Sequence, residues 1–231
     1  MTAPGSAPSL GAVLPASNEE AGIGATLAAL ASQTDTRFAF AVVDNASTDV
    51  TAAVVRRFAA VMHGAALLVR TDADCPPAAD WIAAARRDFA RGAEMACGRS
   101  LPRRDERLSP TERSLLLAVV KATAVHGRYR AAHRHPRYRA PYVLCHGHNL
   151  AITAAIYLRC GGTPRTPLEG PPEDVVLLNR AREHSDRIAR AERMMVHTSL
   201  RRLRAWGARR TLLWCWERRY RPADPKQVHV R

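Results

Sequence analysis

Two carboxylates one residue apart, Asp72 and Asp74, follow an apolar run at Leu67–Val69 and are stopped by Pro76 and Pro77. Hard oxygen donors at that spacing suit a divalent cation held against a substrate phosphate. The bland alternative is an Asp-x-Asp that caps the next helix. A second acidic pair, Glu173 and Asp174, follows Pro171-Pro172 and reads either as a general base or as the acidic start of a helix. Asp44 closes another apolar run, Phe38–Val43, and leads into Asn45-Ala46-Ser47-Thr48-Asp49, a turn and N-cap composition.

These carboxylates need elements that carry them to one place. Gly11–Pro15, Phe38–Val43 and the Leu67 run are short apolar stretches bounded by turn residues, which predicts buried strands. Between them, Ile23, Leu27 and Leu30 have helical spacing to about Ser32, with Ser17 and Glu20 as a capping-box pattern before them. Val54, Val55 and Phe58 predict a second helix, and Trp81, Ile82 and Phe89 a third. Strand and helix alternating at this density predict a parallel α/β layer. Asp44, Asp72 and Asp74 then lie at carboxyl ends of strands on one edge, where open α/β sheets bind ligands.

In order, Pro15-Ala16-Ser17-Asn18-Glu19-Glu20, Ser32-Gln33-Thr34, Val42-Val43-Asp44-Asn45-Ala46-Ser47-Thr48-Asp49 and Thr71-Asp72-Ala73-Asp74 with Asp80-Trp81-Ile82 resemble the family 2 glycosyltransferases of GT-A fold. Gly147-His148-Asn149-Leu150-Ala151-Ile152 to Tyr157, Gly161-Gly162 and Glu173-Asp174-Val175-Val176-Leu177 resemble that family's acceptor-side motifs. The resemblance implies a Rossmann-like, mostly parallel sheet flanked by helices. One domain would span 10–200, with a nucleotide-sugar half at 10–100 and an acceptor half at 101–200. It also implies inverting transfer of a hexose-like sugar from a nucleotide-sugar donor to a hydroxyl acceptor, a glycan or a lipid-linked molecule among the candidates, with Mg2+ or Mn2+ as cofactor. Pro15, Ala16, Glu19 and Asp44 would line the base pocket, Asp72 would sit near the ribose, and Asp74 would bind the metal. Asp174 would be the base, and His146 and His148 acceptor-site lining. Some relatives use a late histidine as a third metal ligand, so His197 is either that ligand or a half-buried histidine at a strand end. One departure stands out. Family members carry a further strand and helix between the Asp44 turn and the Asp-x-Asp, whereas here only Val50 to Thr71 intervene. A catalytically inactive relative that binds nucleotide sugar or a partner is therefore the alternative reading.

The remaining sequence bears on partners. Residues 1–100 hold 8 Arg and 10 Asp or Glu, leaving a balance of +16 for residues 101–231 out of a net +14. Such an excess suits phosphates or an anionic membrane surface; nucleic acid is disfavoured because no reader motif is present. Arg128 to Arg139, with His133 and His135, reads as a solvated or phosphate-facing loop, since H-x-H here lacks cysteine or acidic partners. Ser114–Val125 predicts a helix with Leu115, Leu116, Val119 and Val120 on its apolar face. Interleaved Arg, Leu and Trp at 201–231 predict a basic amphipathic tail, lying on a membrane or packing its tryptophans inward. No apolar run is of spanning length, and Met1–Leu10 lacks a basic start. Five cysteines without C-x-x-C spacing read as reduced thiols, which points to a cytoplasmic protein, peripheral on the membrane if the tail docks there.

Overall fold

The computed structural model describes residues 10–51, 54, 65–103, 106–130, 133–163, 172–200, 204 and 207. In chain order the elements are β1 (Leu10–Ala16), α1 (Ile23–Ala31), β2 (Phe38–Asp44), β3 (Leu67–Thr71), α2 (Trp81–Ala90), β4 (Met95–Pro102), α3 (Pro110–Tyr129), β5 (Asn149–Thr153), α4 (Ala154–Arg159), α5 (Glu173–His184) and β6 (Ile188–Thr198). The expected helix through Val54, Val55 and Phe58 and the basic tail fall largely outside the described residues.

The strands form one sheet in the order β2-β1-β3-β5-β4-β6. β1 pairs in parallel with β2 and β3, β4 in parallel with β6, and β5 runs antiparallel to both of its neighbours. The α/β architecture expected from the alternating pattern is therefore observed. Alternating side chains send Leu67 and Val69 of β3 to one face and Leu68 to the other. Leu67 and Val69 join a core with Ile23, Leu27 and Leu30 of α1 and Trp81, Ile82 and Ala85 of α2. Leu68 packs against a second core of Met95, Leu150, Ile152, Ile156, Leu177 and Leu178. The sheet thus lies between two helical layers, and α5 runs along the second face.

β2 is an edge strand, with Val43 54% exposed. The short interval after it supplies no further strand among the described residues, in keeping with the compressed sequence there.

Some local expectations needed correction. α1 starts at Ile23 with Gly22 as its N-cap residue, not at Ser17. Ser17 Oγ donates instead to the Asn45 carbonyl, and Glu20 accepts from the Val50 amide, because this loop is zipped to the one after β2. The capping box is real elsewhere. Ser109 and Glu112 exchange backbone bonds at the start of α3, with Pro110 in the first turn, which extends that helix beyond the expected 114–125. β4 had no sequence signal, since its first four residues are buried on both faces and do not alternate.

Candidate functional site

β1, β2 and β3 are parallel, so the turns at their carboxyl ends share one edge of the sheet. The β1 and β2 turns are bound together by polar contacts. Asn18, at φ 54, accepts from the Thr48 amide at 2.8 Å, its own amide donates to Ser47 Oγ at 3.0 Å, and the Glu19 amide donates to Thr51 Oγ1 at 2.8 Å. Ala16 pairs with Asp44 and Pro15 with Val43 in the sheet register. Asp44 is exposed, and Oδ1 accepts from the Ser47 amide and hydroxyl, which fixes the carboxylate at the mouth of this edge.

The Asp-x-Asp sits in a tight turn after β3, closed by the Cys75 amide donating to the Asp72 carbonyl at 3.0 Å. Buried Thr26 of α1 donates to the Ala73 carbonyl at 2.7 Å and anchors that turn to the helix. Gly22 permits the approach: a Cβ there would stand 3.1 Å from Asp74 Cβ and 3.4 Å from Glu19 Oε2. Asp74 and Glu19 therefore flank the same point.

Asp72 is the most constrained acid. Its side chain keeps 39% of its surface through the outer oxygen, while Oδ1 is buried with no hydrogen-bond partner among the described residues. Arg70 Nη2 stands 3.8 Å from Oδ1. Burial pushes the Asp72 carboxyl up, with Asp74 and Glu173 adding to the rise and Arg70 and His148 opposing it. Arg70 is itself largely buried. Desolvation alone would favour its neutral form, but Asp72, Glu173 and Asp174 outweigh that and hold the guanidinium charged.

Arg70 also reaches α5, donating to Glu173 Oε1 at 2.7 Å. The next residue, Asp174, accepts from the Gly147 amide at 3.1 Å and the Val175 amide at 2.8 Å. A Cβ on Gly147 would lie 3.6 Å from Asp174 Cβ and 3.9 Å from Arg70 Nη2. The candidate base and the acidic turn thus meet around one arginine. Asp174 lies in the first turn of α5, after Pro172 in the N-cap position, so it gains from the helix dipole without being the cap residue itself.

His148 Nε2 lies 2.6 Å from Ser100 Oγ and stacks on His146 at 5.1 Å, placing both histidines between the end of β4 and the start of β5. His197 is half-buried near the end of β6. Its amide donates to the Pro76 carbonyl, just beyond the acidic turn, and its Nδ1 lies 3.2 Å from the Pro102 carbonyl. A ring nitrogen facing a carbonyl must donate to it, so this contact fixes the orientation of the ring. Among the described residues, no three His, Cys, Asp or Glu side chains form a metal-ligating group. Asp74, beside Glu19 at the Gly22 approach, carries the hard oxygen donors that suit a divalent cation.

Arg70, Gly22 and Thr26 were not singled out from sequence. Arg70 carried a usable signal: an arginine within a strand paired on both sides needs a carboxylate partner. The described cysteines, Cys75, Cys97, Cys145 and Cys160, are buried, and none forms a disulfide among the described residues. Among the described residues, no helix is long and apolar enough to cross a membrane.

Residues 12–67 match the family model described as Glycosyl transferase family 2. No curated protein matches the chain. Among solved structures, the mannosyltransferase PcManGT from Pyrobaculum calidifontis, in complex with GDP-Man and Mn2+, is similar at TM-score 0.58 and 20% identity, covering 98% of this chain and 69% of that one. TarS 1–349 of S. aureus with UDP-GlcNAc gives 0.55 and 13%, covering 83% and 58%. Glucosyl-3-phosphoglycerate synthase from Mycobacterium tuberculosis with Mn2+ and UDP-Glc gives 0.54 and 15%, covering 93% and 80%. The chain matches little more than half the length of the TarS fragment. At these identities the likeness establishes the fold, an α/β sheet of the GT-A glycosyltransferase type.

Proposed function

We propose that this chain transfers a sugar from a nucleotide-sugar donor to a hydroxyl acceptor, with inversion at the anomeric carbon. The observation that carries this is the Arg70 bridge, which brings the Asp72–Asp74 turn and the Glu173–Asp174 helix start to one edge of the sheet. The family match over 12–67 and the three nucleotide-sugar-bound neighbours support the same reading. Asp44, Pro15, Ala16 and Glu19 would border the nucleotide, since their turns are held rigidly together at that edge.

Asp74 would hold a divalent cation, Mg2+ or Mn2+, with Asp72 toward the ribose and His197 as the candidate further ligand, the other positions being taken by substrate phosphate oxygens and water. When bound, such an ion offsets charge on the departing nucleoside diphosphate. Asp174 accepts the acceptor hydroxyl's proton as that oxygen attacks the anomeric carbon. Gly147 and Arg70 orient that work: the Gly147 amide fixes Asp174 Oδ2, and Arg70 keeps Glu173 turned toward the acidic turn.

Asp174→Asn tests the base. The amide keeps one acceptor oxygen, so one of the bonds from the Gly147 and Val175 amides is lost, a cost of about 1 kcal/mol that the fold and the donor affinity should withstand. Turnover should fall roughly 10²- to 10⁴-fold. Transfer at the parental rate by Asp174→Asn would remove Asp174 from the chemistry. A second reading, a non-catalytic binder of nucleotide sugar, is favoured by the exposed β2 edge and the short interval that follows it. Donor binding by the parent without turnover over a pooled acceptor extract would select it.

A further inference from the structure

A cavity of about 460 Å³ lies between the end of α3, the segment 133–142 and the C-terminal half of α5. The sheet edge described above plays no part in its walls. Asp174 and Arg182 sit eight residues apart on α5, roughly 12 Å at the helical rise per residue. α5 leads into the start of β6, so Arg182 lies toward the opposite edge of the sheet from the acidic turn.

The cavity's floor is a buried cation. Arg182 is 2% exposed and donates to the carbonyls of Ala140 and His133 and to Asn179 Oδ1, each at 2.9 Å. Its guanidinium lies 4.2 Å from the Tyr138 ring centroid. Among the described residues no carboxylate pairs with it, and the neighbouring Glu183 is engaged by Arg137 at 3.1 Å. Buried charges are ordinarily paired, because an uncompensated one is costly. Around the rim stand Arg128, Arg134 and Arg139, all exposed and none of them paired with a carboxylate among the described residues.

Helix ends explain part of this charge. Arg139 Nη1 donates to the His184 carbonyl, and Arg128 lies in the last turn of α3. A helix terminus supplies only about half an elementary charge, so two such ends leave most of four guanidinium charges uncompensated. The wall is aromatic: Tyr129 is 64% exposed, and Tyr142 packs against α3 where a Cβ on Gly127 would come within 2.4 Å of its ring.

We propose that this cavity is a second, non-catalytic ligand site that takes a phosphate or diphosphate anion, held by the rim arginines above Arg182 and flanked by tyrosine faces. Guanidinium forks match phosphate oxygens in geometry and charge. The same phosphate chemistry reaches the protein in two ways, on a soluble phosphorylated molecule or on a lipid headgroup. The site stands independently of sugar transfer, and its test contains no transfer step.

The experiment uses the full chain in EDTA, with inorganic pyrophosphate titrated by calorimetry and vesicles of phosphatidylcholine with and without phosphatidic acid pelleted in parallel. The expected result is saturable pyrophosphate binding that the double variant Arg128→Gln/Arg134→Gln weakens at least about tenfold. Asp74→Asn should leave it unchanged, which separates the site from the acidic turn. Pelleting that needs phosphatidic acid and drops in the double variant, without pyrophosphate binding, would assign the lipid source. Because the two rim arginines are exposed, the variant should melt like the parent; if it does not fold, Arg134→Gln alone is read the same way. Absence of binding to both probes, or equal binding by parent and variant, would overturn the proposal.

Discussion

Asn149 is the polar pin on which the β5-β4-β6 side of the sheet depends, and replacing it has a consequence that can be worked out. It is fully buried at the first position of β5. Oδ1 accepts from Trp81 Nε1 at 2.9 Å, and Nδ2 donates to the carbonyls of Arg99 at 2.7 Å and Met194 at 2.8 Å. Those two carbonyls lie where the β4–β6 register slips, from Gly98 opposite Ala191 to Arg99 opposite Met195. The bulge takes carbonyls out of the ladder, and the asparagine amide satisfies them. Asn149→Leu keeps the branching and the number of side-chain heavy atoms and leaves one buried donor and two buried acceptors without this partner. Each such group costs about 1–3 kcal/mol. With partial relaxation we expect a loss of roughly 3–6 kcal/mol, a large part of the ~5–15 kcal/mol a domain has. Urea unfolding followed by tryptophan fluorescence and far-UV dichroism gives the number. Adding Trp81→Phe removes the stranded donor, so the double variant should lose less than the sum of the singles by about 1 kcal/mol or more. A loss below ~1 kcal/mol for Asn149→Leu would refute the reasoning, because it would mean the bulge carbonyls find other partners.

Further outcomes follow from the same contacts. Gly98→Ala should destabilise by about 2 kcal/mol or more, since its Cβ would fall 2.3 Å from Asn149 Nδ2, a side chain held by three hydrogen bonds; a melting temperature equal to the parent's would contradict this. Burial raises the Asp72 carboxyl above its unfolded value of 3.8, so the folded state keeps its proton longer. In metal-free buffer this contribution to stability falls as pH rises from the unfolded toward the folded pKa. Asp72→Asn should flatten that slope and stabilise the protein above it, as chemical denaturation across pH would show. Ser109→Ala should cost about 1 kcal/mol by removing the capping box of α3, measured by the shift in the urea midpoint. If residues 201–231 lie on an anionic bilayer, deleting them should abolish low-salt sedimentation with anionic vesicles while the domain still melts cooperatively.

By itself the sequence determined the local elements and the residues with chemistry in them. Leu67–Val69 ending in Asp72 and Asp74, and Phe38–Val43 ending in Asp44, could be read because a strand declares itself within a few residues. Once such strands alternate with helices, their carboxyl ends must share an edge. The α1 apolar face was legible for the same reason. What the tertiary structure decided is everything that joins residues far apart in the chain. Nothing near Arg70 in sequence says that it will bridge Asp72 to Glu173, a residue 103 positions away. Ser17 and Glu20 had the pattern of a cap, yet the Asn45 carbonyl and the Val50 amide claimed them, because loop-to-loop bonds at a sheet edge outweighed a local motif. β4 gave no period because both its faces are buried, and the need for Asn149 arises only where β4 and β6 slip register. Local pattern reports a residue's own backbone. The partner that a buried charge or carbonyl finds depends on which elements the fold places beside it.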